Sequence, residues 1–192
     1  MVSKLMSPQV AINSLITSTM PDAEIKPFYP IIYDILPGAS EFYLIDFTGG
    51  VFNLTLNVPY PWVEKTLEFI RETAKTCPNT AIVGVCWGHQ AVARAMGGKI
   101  EFNPYGDRRG IELLGGSQDK SSKIDFALLE FHKRRVARPA QRFVPLAGDS
   151  DALLHEEYNI ITFQGHPEMT EDVGMAILYA DDGAYTGNLS EK

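Results

Sequence analysis

The chain has 192 residues, 21% of them charged, and a formal net charge of −7. This length predicts one domain, residues 1–192, with a buried core, and the negative charge argues against nucleic acid or an anionic membrane surface as a partner. Two cysteines are too few for a disulfide framework, and no apolar run approaches the roughly 18 residues of a membrane span. We therefore expect a cytoplasmic protein.

Apolar runs along the chain predict the strands of a sheet. In chain order they are Phe28–Leu36, Phe42–Phe47, Ala81–Val85 and Ile160–Phe163. Short and nearly continuous apolar runs are typical of parallel strands that are buried on both faces.

Two helices are predicted between these strands. Pro61–Thr76 has a proline suited to the first turn and apolar residues repeating on one face. A second helix should carry His89–Met96 and end at Gly97-Gly98, while Gly115–Ser122 is typical of a hairpin turn or loop. Alternating strands and helices predict an α/β fold, an open and mostly parallel sheet with helices on both faces, which binds ligands beyond the carboxyl ends of its strands.

The segment Ile82–Gln90 runs a predicted strand directly into a Gly-x-Cys-x-Gly turn and a helix. This is the arrangement of a nucleophile elbow, with Cys86 at the position that serine occupies in Gly-x-Ser-x-Gly hydrolases. Glycine suits so sharp a turn, and the N-terminus of the helix stabilises a thiolate. The alternative for Cys86 is a buried structural thiol, and Cys77, just before Pro78 at a helix end, is expected to be an inert thiol.

A thiol that attacks an amide carbonyl needs a base and a group that orients the base. His166 follows the predicted strand Ile160–Phe163, and Glu168 stands two positions further on. Glu168 can accept a hydrogen bond from one ring nitrogen of His166, which leaves the other nitrogen for Cys86. These residues are our candidate catalytic set.

Oxyanion donors are predicted in turns at the same edge of the sheet. We expect the backbone N–H of Trp87 to be one donor and that of Gly49 or Gly50 to be the other, since glycine lets the backbone approach a substrate closely. The Trp87 ring is predicted either to wall the pocket or to pack in the core.

The remaining histidines carry weaker predictions. His89 is expected to pack or to make a supporting hydrogen bond, and His132 and His155 have no partner pattern, so each is expected to be structural or exposed. We find neither a metal-ligand spacing nor a nucleotide-binding glycine motif, so no metal and no cofactor is expected.

A basic stretch stands out against the acidic chain. Its five cations lie close together without an acid among them: Lys133, Arg134, Arg135, Arg138 and Arg142. We expect either a solvated face or a docking surface for an anionic substrate or a partner protein.

The paired motifs resemble the class I glutamine amidotransferases, a family with a Cys-His-Glu triad. The matching stretches are Gly84–Gln90, Gly97–Ile100 and Phe163–Glu168, with a weaker match at Thr48–Gly50. The resemblance implies that Cys86 is the nucleophile, His166 the general base and Glu168 its orienter. It also implies that Gln90 contacts a glutamine-type substrate.

Within this family the chain is most similar to stand-alone members, the GMP-synthase-like and γ-glutamyl-peptidase-like proteins. Phe131–Lys133 followed by Val136 resembles their His-Lys-Asp-x-Val segment, but Arg134 stands where those proteins usually have Asp. A cation there would repel the amino group of a substrate. Members also open with an apolar strand, for which Met1–Leu5 is too short and polar, so we expect the first strand to be shortened or missing.

These observations lead to three functional hypotheses. The first is an amidohydrolase or acyl transferase that cleaves the γ-glutamyl amide of glutamine or of a γ-glutamyl peptide through a Cys86 thioester. The second is a glutaminase subunit that supplies ammonia to a separate synthase partner. The third is a repurposed amidotransferase-like enzyme or binding protein in a biosynthetic pathway.

Overall fold

A computed structural model describes residues 8–114, 126–147, 150–170 and 173–174. The helices are α1 (Pro8–Thr19), α2 (Pro30–Tyr33), α3 (Pro61–Thr76) and α4 (Trp87–Ala95), with a 3-10 turn at Ala39–Glu41. The strands are β1 (Leu44–Phe47), β2 (Ala81–Val85), β3 (Lys99–Phe102), β4 (Arg108–Leu114), β5 (Phe126–His132), β6 (Arg134–Arg138), β7 (Phe143–Ala147), β8 (Ala152–His155) and β9 (Ile160–Phe163). The predicted loop at 115–122 and the segment at 1–5 lie outside the described residues.

Among the described residues, the main sheet has five strands in the order β1-β2-β9-β8-β7. Strand β2 pairs in parallel with β1 on one side and with β9 on the other, while β8 and β7 extend the sheet antiparallel. The parallel strands bring the carboxyl ends of β1, β2 and β9 to one edge. The α/β fold predicted from the sequence is confirmed, with a parallel core at the place where the candidate residues lie.

Helices α3 and α4 pack against each other, and α4 also packs on β1, β2 and β9. Helix α3 has the predicted bounds, and its predicted apolar face, Val63, Leu67, Ile70 and Ala74, is buried. These side chains form one apolar cluster with α4 and with Ile82 and Ile160 of the sheet. Burial of this cluster holds the helix that follows the Gly-x-Cys turn rigidly against the parallel strands.

The prediction of a strand at Phe28–Leu36 is wrong. Pro30 instead begins a single helical turn, α2, and Asp34 ends it in the left-handed region at φ 53°. Proline fixes its own φ and lacks an N–H for a strand ladder, so an apolar run that contains it does not become an inner strand. The side chains of Ile31, Ile32 and Ile35 remain 53%, 70% and 59% exposed.

Two further pairs of antiparallel strands lie beside the main sheet. One joins β4 to β5 and the other joins β3 to β6. An isolated bridge between Leu129 of β5 and His166 connects the first pair to the segment that follows β9. Within the described part of the chain, the helices are all too short or too polar to cross a membrane.

Candidate active site

Cys86 lies between β2 and α4 in a strained backbone conformation. Its φ of 53° and ψ of −99° place it in a region that residues other than glycine seldom occupy. Two backbone hydrogen bonds hold it there, since its N–H donates to the carbonyl of Phe163 at 2.8 Å and its carbonyl accepts from Gln90 at 3.2 Å. Strain of this kind concentrates at functional sites and persists only where the surroundings maintain it.

The glycines on either side of Cys86 permit a close approach of backbone to backbone. A Cβ at Gly88 would lie 1.8 Å from the carbonyl oxygen of Phe47, and a Cβ at Gly84 would lie 2.8 Å from the carbonyl carbon of Gly88. Any side chain at these positions would therefore push α4 away from β1 and β2. The Gly-x-Cys-x-Gly pattern is explained by this packing.

His166 and Glu168 form a buried pair on the segment that follows β9. Nδ1 of His166 is 2.8 Å from Oε1 of Glu168, and the two side chains are 7% and 2% exposed. The ring of His166 lies beside Cys86, because a Cβ at Gly49 would be 3.9 Å from Nε2 of His166 and 3.7 Å from Cβ of Cys86. The structure therefore brings together the three residues that the sequence analysis grouped as a candidate catalytic set.

Burial and hydrogen bonding act in opposite directions on His166. Burial alone would lower its pKa, but the hydrogen bonds to Cys86 and Glu168, together with their charges, raise the pKa to about 10. The ring accordingly holds a second proton at neutral pH, which favours an imidazolium beside the sulfur.

Asp46 near the end of β1 interacts electrostatically with this site, and the sequence analysis assigned its carboxyl group no role. Burial and, secondarily, the charge of Glu168 raise its pKa from 3.8 to about 7. One of its carboxyl oxygens is buried without a hydrogen-bond partner. A single acid in the otherwise apolar run Leu44–Phe47 was the signal that could have revealed it.

The candidate oxyanion turns lie around Cys86. A Cβ at Gly49 would be 3.1 Å from Cε1 of His166 and 3.7 Å from Cβ of Cys86, and a Cβ at Gly50 would be 3.4 Å from the Trp87 ring. Trp87 is 7% exposed, and the centroid of its ring lies 5.4 Å from that of Trp62, so the ring belongs to the core. The backbone of Gly49 is thus beside both Cys86 and His166.

A cavity of about 280 Å³ opens next to Cys86. It is lined by Gly50, Val51, Cys86, Gln90, Phe131, His132, Lys133 and Arg134. Gln90 is a buried residue of this lining. Its side-chain nitrogen donates to the carbonyl of Arg134 at 2.8 Å and to Oε1 of Gln164 at 3.0 Å. Two donated bonds fix the orientation of this amide next to the sulfur.

A second buried pair, Glu130 and His132 on β5, was not predicted. Nε2 of His132 is 2.8 Å from Oε2 of Glu130, with side chains 3% and 1% exposed, and Nδ1 of His132 is 2.9 Å from the carbonyl oxygen of Arg134. A Cβ at Gly165 would lie 2.5 Å from Oε1 of Glu130, so the pair lies against the backbone before His166. Residues two apart on a strand share a face, which is the sequence signal for this pair.

His89 and His155 have structural surroundings. Nδ1 of His89 is 2.8 Å from the hydroxyl of Thr162, and burial, with a smaller contribution from His132, lowers the pKa of His89 to about 3. Nδ1 of His155 accepts from two backbone N–H groups, and its ring stacks on Tyr158. The supporting hydrogen bond predicted for His89 is confirmed.

Cations of the basic stretch contact acids of the same chain. Arg135 is 3.1 Å from Glu101, and Arg142 contacts Glu157. Arg134 lines the cavity next to Cys86, and its guanidinium donates to the carbonyl of Val51 at 2.9 Å. Part of the basic stretch is thus neutralised within the chain.

The sequence profile of the family Glutamine amidotransferase class-I matches residues 25–181. The chain belongs to this family. This family is the one whose motifs surround Cys86 and His166, and the match covers every strand of the main sheet. In the described residues of this amidotransferase-family chain, histidine, cysteine and acidic side chains form no group of three that could hold a metal ion.

Relatives with this fold are found among fungal proteins and solved structures. The chain is 31% identical to the glutamine amidotransferase-like protein chyE of Penicillium rubens, over 90% of this chain and 75% of that protein. It is 32% identical to the glutamine amidotransferase-like protein chry6 of Gibberella zeae, over 92% and 75% respectively. A glutamine amidotransferase structure from Thermotoga maritima superposes with a TM-score of 0.72 at 16% identity, covering 90% of this chain and 77% of that one, which shows the shared fold.

Proposed function

We propose that the protein is a cysteine-dependent amidohydrolase or acyl transferase that cleaves a γ-glutamyl amide through a thioester on Cys86. The observation that carries this proposal is the strained Cys86 at the start of α4 beside the buried His166–Glu168 pair, whose N–O distance is 2.8 Å. Membership of the class I glutamine amidotransferase family supports the substrate type. Glutamine and γ-glutamyl peptides are the acyl donors proposed.

The proposed reaction begins with attack of the Cys86 sulfur on the amide carbonyl carbon. A carbon–sulfur bond forms, and the carbonyl oxygen, now negative, is held by the backbone N–H groups of Trp87 and of Gly49 or Gly50. The carbon–nitrogen bond then breaks as His166 gives its proton to the leaving nitrogen, which departs as ammonia or an amine. Glu168 keeps the imidazole oriented and stabilises its charge.

Hydrolysis of the thioester completes the proposed cycle. His166, now neutral, takes a proton from water, whose oxygen adds to the thioester carbonyl. The carbon–sulfur bond breaks, releasing the acid, and the Cys86 sulfur is restored beside an imidazolium. The raised pKa of His166, about 10, favours this resting state of the site. Gln90, fixed by two donated bonds, is the residue proposed to contact the acyl group.

The test is direct detection of the acyl-enzyme. The protein is mixed with glutamine or γ-glutamyl dipeptides, quenched with acid and measured by intact mass, and released ammonia or amine is followed in parallel. We expect one γ-glutamyl group on the wild type and none on Cys86→Ala. Cys77→Ala is the matched control and should be acylated like the wild type. Failure of every donor to acylate the protein would leave the amidotransferase-like scaffold as a binding protein and end the proposal.

A glutaminase subunit that supplies ammonia to a separate synthase is the second candidate. The exposed apolar side chains of Ile31, Ile32 and Ile35 favour it, because contiguous apolar surface commonly marks protein interaction sites. Ammonia release from glutamine should then be slow alone and faster with a purified synthase subunit. An unchanged rate would speak against this candidate.

A further inference from the structure

Asp46 is an acid on the face of the main sheet that turns away from α3 and α4. Its neighbour Ile45 packs on the apolar cluster that includes those helices, and successive side chains of a strand point to opposite faces. The residue in register with Asp46 on β2 is Val83, and the residue in register with Val83 on β9 is Ile161. The row of side chains beside Asp46 is therefore apolar and offers its carboxyl group no hydrogen-bond donor.

Asp46 and Glu168 each have a carboxyl oxygen that is buried without a hydrogen-bond partner among the described residues. These atoms are Oδ1 of Asp46 and Oε2 of Glu168, whose other oxygen, Oε1, is 2.8 Å from Nδ1 of His166. The turn that follows Asp46 lies on the same histidine, because a Cβ at Gly49 would be 3.1 Å from Cε1 of His166. The charge that acts on Asp46 is that of Glu168. Both oxygens therefore belong to the site of the His166–Glu168 pair.

A single proton satisfies both of these oxygens. Two buried carboxylates that act on each other do not both stay ionised, because they repel each other and lack the water that would solvate them. A proton on Asp46 removes this repulsion and supplies the donor that both oxygens lack. Burial and the charge of Glu168 raise the pKa of Asp46 to about 7, so the acid keeps this proton below that pH. Glu168 stays the carboxylate of the pair and is the acceptor.

We propose that Asp46 is a positioning residue, which donates a hydrogen bond from its protonated carboxyl group to Oε2 of Glu168 and so holds Glu168 in the orientation that aligns His166 with Cys86. The Glu168 carboxylate is then fixed at both oxygens, by His166 at Oε1 and by Asp46 at Oε2. Asp46 itself touches no reacting atom. Its effect on catalysis rests on the proposed thioester chemistry at Cys86, whereas the hydrogen bond can be measured without turnover.

Ionisation of Asp46 reverses its effect on Glu168. Above about pH 7 the Asp46 side chain has lost the proton that it donates and carries a charge of the same sign as that of Glu168. The Glu168 carboxylate then loses one of its two partners and is repelled. The added negative charge also holds the proton more firmly on His166, which must give that proton to the leaving nitrogen. Acylation of Cys86 is therefore expected to slow as the pH rises through this value.

Two substitutions of Asp46 separate the donor from the charge. Asp46→Asn keeps a donor of nearly the same size in its amide group and does not titrate, whereas Asp46→Leu has a similar volume and neither donor nor charge. Asp22→Asn is the matched control, because it makes the same chemical change at an exposed acid. Thermal unfolding of each variant shows whether the protein is folded.

The first experiment measures the ring-nitrogen chemical shifts of His166 by NMR in protein labelled with ¹⁵N-histidine, with His166→Asn as the assignment reference. The pKa of His166 is about 10, so the ring itself keeps its proton across the neutral range. In the wild type and in Asp22→Asn we expect the Nδ1 shift to move with a midpoint at about pH 7. Asp46→Asn should keep the low-pH position throughout, and Asp46→Leu should be displaced from it at every pH.

Either of two results would overturn the hydrogen bond, whether or not the protein cleaves amides. One is a midpoint in Asp46→Asn equal to that of the wild type, which would assign the titration to another group. The other is an Nδ1 shift in Asp46→Leu equal to the low-pH shift of the wild type, which would show that Asp46 gives Glu168 no donor.

The second experiment measures the rate constant and KM for acylation of Cys86 by a γ-glutamyl donor, from about pH 5.5 to about pH 8.5. We expect the rate constant of the wild type, relative to that of Asp46→Asn, to fall by about fivefold as the pH rises through 7, with little change in KM. At low pH Asp46→Leu should be about tenfold slower than Asp46→Asn, and Asp22→Asn should follow the wild type. A constant ratio would overturn the positioning role. Acylation in none of the proteins would contradict the proposed function, and the ring shifts would still decide the hydrogen bond.

Discussion

Two buried histidine–glutamate pairs of equal length lie close together in this protein and differ in what the second ring nitrogen meets. His166–Glu168 and His132–Glu130 both have N–O distances of 2.8 Å and residues two apart in sequence. His166 makes a hydrogen bond to its glutamate through Nδ1, and its ring lies beside Cys86. Nε2 of His132 is in ion-pair contact with its glutamate without hydrogen-bond geometry, and its Nδ1 faces a backbone carbonyl.

Whether such a pair can take part in catalysis depends on what its second ring nitrogen faces, the one turned away from the glutamate, and not on the pair itself. A carboxylate orients an imidazole in either arrangement, but only a ring with its far nitrogen at a reacting atom can move a proton there. Nδ1 of His132 faces the Arg134 carbonyl and Nε2 faces Glu130, so this pair forms part of the cavity wall. The two pairs also act differently on their neighbours, because the charge of Glu168 helps to raise the pKa of Asp46, whereas His132 helps to lower that of His89.

Replacing each histidine by asparagine should separate the two pairs most strongly. His166→Asn is expected to reduce kcat/KM for thioester formation by about 10³-fold or more, because the proton donor and acceptor is lost. His132→Asn should reduce it by less than about tenfold, since this ring touches no reacting atom in the proposed reaction. Acyl-enzyme formation by rapid quench measures both.

Thermal unfolding of both variants controls for misfolding. A loss of activity in His132→Asn as large as that in His166→Asn, with an intact melting transition, would break the distinction between the pairs and make His132 part of the reaction.

Replacing each glutamate by glutamine tests which pair supports the fold. Glu130→Gln leaves His132 buried without its carboxylate and should lower the free energy of unfolding by roughly 3 to 5 kcal/mol. Above about pH 7 Asp46 is ionised beside Glu168, so there Glu168→Gln also removes a repulsion and should destabilise less, and its main effect should be on acylation rate. Urea denaturation measures the free energy of unfolding of the two variants. Equal destabilisation would contradict the prediction that Glu130→Gln has the larger effect.

The sequence predicts the His166–Glu168 pair but not the Glu130–His132 pair, and the reason is physical. His166 and Glu168 follow a strand whose bounds, Ile160–Phe163, were predicted correctly, so their shared position at the sheet edge could be inferred. Glu130 and His132 lie on β5, which pairs with Arg108–Leu114 across the predicted loop but meets the segment after β9 only through the bridge between Leu129 and His166, a contact distant in sequence. Their burial follows from those contacts and leaves no local signal beyond the spacing of two.

For the fold, too, the sequence predicts some helices and strands correctly and others wrongly. Helix Pro61–Thr76 and strand Ala81–Val85 were predicted with correct bounds because periodicity, proline and glycine all agreed there. The apolar run at Phe28–Leu36 has a strand-like composition, but Pro30 interrupts it and its isoleucines face outwards. Composition predicts a strand only where a neighbouring strand is available to pair with it.

The pH dependence of stability should reveal the charge environment of the His166–Glu168 pair. Asp46 is held largely protonated in the folded state because its pKa is about 7, whereas the unfolded chain releases this proton near the ordinary value of 3.8. The unfolded state therefore binds fewer protons between these values, and stability falls as pH rises through that window. The Asp46→Asn variant has no carboxyl group to titrate at this position, so it lacks this loss of stability. Its unfolding free energy relative to the wild type should rise by roughly 2 to 4 kcal/mol between pH 4 and pH 8.

Chemical denaturation at several pH values measures that difference, in which the titrations of His89 and of other groups common to both proteins cancel. Glu130→Gln is the matched comparison, because it changes the other pair and should not alter the contribution of Asp46. If the difference in unfolding free energy between the wild type and Asp46→Asn stayed constant from pH 4 to pH 8, Asp46 would be ionised beside Glu168 in the folded state. The charge of the His166–Glu168 pair would then be balanced by a different group, and its contrast with the Glu130–His132 pair would rest on geometry alone.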